Sequence, residues 1–67
     1  MAIFRFHLMG GGPTAVLEVD AESIEELGDL VTQRRFIIGR LTVPDHDGLI
    51  PGMLIATARI QSVVEAG

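Results

Sequence analysis

Residues 2–9, AIFRFHLM, alternate apolar and polar positions until Gly10, Gly11, Gly12 and Pro13 cut the pattern; residues 14–19, TAVLEV, then take it up again. Phe4, Phe6 and Leu8 share one side of an extended chain, and Arg5 and His7 share the other, which is the period of a half-buried strand. Three glycines and a proline cannot prolong that strand and instead favour a turn. In the second segment Ala15, Leu17 and Val19 face one way while Thr14, Val16 and Glu18 face the other. Two alternating segments joined by a short glycine-rich loop predict a β-hairpin. A hairpin commits the chain to an antiparallel sheet, and every later segment has to pack on it or extend it.

After Asp20 the period changes. Ile24, Leu27, Leu30 and Val31 recur at helical spacing, and the pattern predicts a helix over residues 21–34. Asp20 can cap it, and Ser23 with Glu26 offers an alternative capping box. Glu22, Glu25 and Glu26 near the start and Arg34 and Arg35 near the end complement the helix dipole. Gly28 lies beside the apolar stripe, where the expected gain is close approach of helix to sheet. Residues 35–43, RFIIGRLTV, read as a strand with Ile37, Gly39, Leu41 and Val43 on one face. Phe36 and Ile38 are also apolar, which suggests cover on both faces near its start; Phe36, like Phe4 and Phe6, is expected in the core. Residues 53–58 and 59–65 read as two short strands or one bent strand, with the bend at Ala56, Thr57 and Ala58. The fold expected is α+β, ordered ββαββ: a small bent antiparallel sheet or half-barrel with one helix packed on it, spanning residues 1–67 as a single domain.

Size sharpens this. A chain of 67 residues buries only about 60% of the surface that its unfolded form exposes, so its core is marginal. Small domains lean on disulfides, a metal or a partner subunit. Cys is absent, which removes disulfides, iron–sulfur clusters and thiolate zinc sites. A hydrophobic share of 48% is high for so small a chain, and the excess reads as apolar surface kept for subunit contacts. A homo-oligomer is therefore the expected state. No apolar run approaches the roughly 20 residues of a membrane span, so the expectation is a bacterial cytoplasmic protein with no membrane partner. The formal charge of −4 argues against broad nucleic-acid binding, although a local Arg cluster lined up across subunits stays open.

Two stretches have chemical content. GGGPTA, residues 10–15, carries the letters of a dinucleotide-binding loop, but that mechanism needs a helix after the glycines, and here a strand follows. PDHDG, residues 44–48, sets Asp45 and Asp47 around His46. These are potential metal ligands or proton carriers. Yet three consecutive loop residues point in different directions, and a catalytic zinc needs three ligands in a fixed array. Pro44 ends a strand and Asp47-Gly48 favours a reversal, so a solvated turn is the leading reading. A small metal-dependent enzyme using Asp45, His46 and Asp47 is kept as an alternative. Otherwise no catalytic residue, metal or cofactor is expected. The candidate ligand or anion contacts are Arg35, Arg40, Arg59 and His46, contributed by neighbouring subunits.

The run LIATARIQSVVE, residues 54–65, resembles the last two strands of Sm-like small barrels, in which a strand ends in a short polar kink and an Ile-x-x-Val-Val strand follows. Ile60, Val63 and Val64 fit that spacing. The resemblance implies a bent sheet and a ring-like homo-oligomer, with RNA contact carried over only at Arg59. It covers about a dozen residues. Here the helix follows the second strand instead of preceding the first, and Thr57-Ala58-Arg59 stands where the family has a Lys-His kink. The function expected is thus a self-associating structural or binding module, not an enzyme, with an Sm-like ring that binds RNA or another anion as the alternative.

Overall fold

The computed structural model describes residues 1–12 and 14–66. Pro13, expected to help end the first strand, lies outside the described residues. The element order is β1 (Ala2–Leu8), β2 (Ala15–Val19), α1 (Ile24–Gln33), β3 (Phe36–Leu41), β4 (Gly52–Ala56), a 3-10 turn (Thr57–Arg59) and β5 (Ile60–Glu65). One antiparallel sheet holds all five strands in the order β4-β3-β2-β1-β5. This is the α+β architecture the sequence indicates, and residues 53–65 resolve into two strands with a break between them.

That strand order cannot be flat. The outer strands of a flat five-stranded sheet stand about 19 Å apart at the usual strand spacing. Here the two outer strands, β4 and β5, are consecutive in sequence and joined by three residues, about 6 Å of 3-10 rise. The sheet therefore curls until the end of β4 and the start of β5 meet at the turn, with the two strands otherwise unpaired with each other. Both halves hold the turn: the Thr57 N–H donates to the Arg35 carbonyl at 2.8 Å, and the Met9 N–H donates to the Arg59 carbonyl at 2.7 Å. The Thr57 hydroxyl lies 2.8 Å from the Arg34 carbonyl and 3.0 Å from that of Arg35. A register shift between His7 and Leu8, opposite Ser62 and Ile60, leaves Gln61 as an extra residue and bends β5 further.

Curling turns one sheet face inward. Phe4 and Phe6 of β1, Leu17 and Val19 of β2, Ile37 of β3 and Ile55 of β4 make the buried core, joined by Leu27 of α1. Phe4 sits beside Leu17, and Leu17 beside Leu41, in one cross-strand row. Full burial of each such side chain is worth about 1.5–3 kcal/mol. Ile24, Leu30 and Val31 pack more loosely against the same core. The Ser23 side chain caps the helix by accepting the Glu26 N–H at 3.1 Å, so the helix starts later than expected and Asp20 lies outside it. Glu65 at the end of β5 accepts the Ile24 N–H at 3.2 Å, tying the last strand to the helix start. At the other end Arg34 is already extended; the two arginines lie beyond the last turn.

The glycine that matters is not the helical one. A Cβ at Gly28 would meet nothing within 4 Å, and the residue is exposed, so the expected close approach of helix to sheet at Gly28 does not occur. Gly39 in β3 is buried; a Cβ there would lie 3.0 Å from the Glu18 carbonyl oxygen and 3.0 Å from Leu17 Cβ. The missing side chain lets β3 close over β2 where the sheet bends. Phe36 and Ile38 correct a second expectation: both are exposed, because alternation along β3 points them away from the concave side. Val43 is exposed too, since β3 stops at Leu41.

Gly39→Ala is expected to destabilise the fold by about 1–3 kcal/mol through overpacking. Gly28→Ala should stabilise it by about 1 kcal/mol through helix propensity. Urea midpoints of the two variants moving in opposite directions would check both assignments at once.

Candidate functional site

The loop between β3 and β4 holds the most chemically loaded stretch. Asp45 organises it. Its Oδ1 accepts the Asp47 N–H at 2.9 Å and the Leu49 N–H at 3.0 Å. Its own N–H donates to the Leu49 carbonyl at 2.7 Å, and its carbonyl accepts the Gly48 N–H at 3.0 Å. Gly48 takes φ +81, a conformation that suits a residue without Cβ. One carboxylate oxygen of Asp45 is thus used to close the turn. His46 projects outward with its side chain 90% exposed, and its Nε2 lies 3.5 Å from Asp47 Oδ2. A contact this open to water contributes little. Among the described residues no group of three His, Asp or Glu side chains is placed to hold a metal ion.

The arginines are spread over the molecule. Arg35 precedes β3, and its carbonyl is occupied by Thr57. Arg40 lies on the outer face of β3, paired in register with Glu18 and Gly52. Arg59 ends the 3-10 turn and borders a cavity formed with the end of β1 and the start of β2. Arg35, Arg40 and Arg59 do not meet within one chain. None of the five arginines has a carboxylate oxygen within 4.0 Å among the described residues. The Met1 ammonium is different: its hydrogen bond to Glu22 Oε1 holds its pKa above the usual value.

No family model, curated protein or solved structure matches the chain. The surface itself then has to indicate where function resides.

The outer face of the β3–β4 hairpin stands out. Ile38 and Leu54 are partners in register, and Phe36 sits two residues along on the same face. They are 72%, 57% and 49% exposed. Val43, Leu49 and Ile50 in the adjoining loop are exposed as well. β4 is also an outer strand of the sheet, so an apolar face and an open edge coincide. Sequence reasoning anticipated spare apolar surface but not its place. The signal was the doubled apolar pattern Phe36-Ile37-Ile38, in which only Ile37 can point inward. No helix among the described residues is long and apolar enough to cross a membrane.

The loop geometry makes a clear prediction. Asp45→Ala removes two hydrogen bonds to the backbone and should cost about 1 kcal/mol. His46→Ala should change stability by less than about 0.5 kcal/mol. A larger loss at His46 than at Asp45, read from urea unfolding, would show that the imidazole holds something the turn alone does not explain.

Proposed function

We propose that the protein is a small non-enzymatic module that associates with copies of itself through the outer face of the β3–β4 hairpin. The uncovered row of Phe36, Ile38 and Leu54 carries this reading. Contiguous apolar surface of that kind on a small domain marks an interface, and this domain has little core to spare. The free edge of β4 supports it, because an open edge invites pairing with another strand. The commitment of Asp45 to its own turn, with His46 facing water, supports a structural role for the PDHDG loop over a catalytic one. The setting we propose is the bacterial cytoplasm, in keeping with the absence of cysteine.

Light scattering coupled to size exclusion tests the proposal. The protein should be oligomeric at micromolar concentration. Ile38→Arg, at a site already in water, should preserve the fold and weaken association at least ~10-fold, as for a buried interface anchor. A wild-type protein that stays monomeric throughout the micromolar range would sink the reading.

A second reading is a ring of Sm-like subunits that binds RNA or another anion through Arg35, Arg40 and Arg59. The 3-10 break at Thr57–Arg59, where the resemblance expects a polar kink, supports it, as do arginines without carboxylate partners among the described residues. Binding of a single-stranded RNA oligomer should then fall steeply with added salt. No binding at low salt would remove this alternative.

A further inference from the structure

Hollows on the described surface differ in charge. One is lined by Glu18, Asp20, Arg34 and Arg40 together, and another by Glu18 and Arg40. Opposite signs in one place give no preference for a ligand of either charge. A third cavity, of about 410 Å³, is different. Leu8, Met9, Leu41 and Met53 supply apolar walls, and Thr14 and Arg59 supply polar groups. Arg59 is the only charged residue in that lining, and no carboxylate lies within 4.0 Å of it among the described residues.

The origin of the cavity is visible in the chain. β3 leaves the sheet at Leu41, so the first residue of β2 has no strand beside it on that side. Gly12, which borders the cavity, adds no side chain to it. The flexible thioethers of Met9 and Met53 suit a pocket that adapts to an occupant.

Size and charge define that occupant. The volume is near the lower end of the roughly 300–1,000 Å³ of small-molecule sites, too small for a packed protein element. A guanidinium binds a carboxylate through two parallel N–H donors. A multiply charged anion would meet a single cation on a chain of net charge −4. We infer that this cavity binds a free small monocarboxylate with a hydrocarbon body, of the size of a medium-chain fatty acid. Its carboxylate engages the Arg59 guanidinium and the Thr14 hydroxyl, and its hydrocarbon lies among Leu8, Leu41 and Met53. The site is separate from the outer face of the hairpin and does not rest on self-association.

The probe is sodium octanoate, titrated into the isotope-labelled protein at neutral pH and followed by amide chemical shifts, with octanol as the uncharged comparator. Saturable shifts should cluster at Leu8, Ala15, Leu41 and Met53. Octanol should bind at least ~10-fold more weakly, as should octanoate to the Arg59→Gln protein, since each loses a charge-assisted hydrogen-bond pair. Arg59 is exposed, and its carbonyl, which the substitution keeps, accepts the Met9 N–H, so this variant should keep the wild-type spectrum. Thr14→Trp, at an exposed position, should fill the cavity and abolish binding. The inference is overturned by no localised shifts at millimolar octanoate, by equal binding of octanol, or by unchanged affinity in the Arg59→Gln protein.

Discussion

The three-residue crossing from β4 to β5 is the constraint on which the rest of the structure depends. It joins the outer strands of one sheet, and three residues cannot span a flat sheet of that width. Thr57 and Arg59 lock the crossing to the start of β3 and to the residue after β1. Everything inside follows from the resulting curl. A chain this small has no second sheet to pack against. Curling lets one sheet cover itself, with α1 closing what remains open. Gly39 belongs to the same solution, because an ordinary side chain there would hold β3 away from β2.

Curling also decides what is left outside. Alternation along each strand sends every second residue to the convex side. On β1 and β2 those residues include Arg5, His7 and Glu18, which suit water. On β3 and β4 they include Phe36, Ile38 and Leu54, which do not. The asymmetry between the two halves of one sheet is the physical basis for proposing self-association. The cavity beside Arg59 has another origin: β3 ends at Leu41 and leaves the start of β2 without a neighbour on that side. One chain thus presents a convex apolar surface and, apart from it, a small hollow with apolar walls and one arginine.

Much of the fold is legible in the sequence, because strong periodicity carries it. The alternation of residues 2–9 and 14–19 gives the hairpin and the correct inward faces, and Phe4 and Phe6 are fully buried. The break near Thr57 is marked by small residues. The errors arise where local pattern cannot report on three-dimensional packing. Gly28 and Gly39 are alike as letters, yet only Gly39 faces a neighbouring strand closely enough to need the missing Cβ. Phe36 reads as core because aromatic residues usually are, but a residue beside Ile37 on a strand must point the other way. The PDHDG loop was legible as a turn; the particular task of Asp45, two backbone hydrogen bonds from one oxygen, was not. Nor was the cavity, whose walls come from residues distant in sequence.

The most direct test of the account is amide hydrogen exchange at Met9 and Thr57, whose N–H groups hold the crossing from either side. Neither residue lies within a strand, so by sequence alone both would exchange as loop amides. If the crossing fixes the curl, both open only when the sheet opens, and their protection should approach that of Phe6 in the core. Exchange at both sites close to the rate of an unstructured chain, with Phe6 still protected, would show that the crossing is not held in place and would contradict the account.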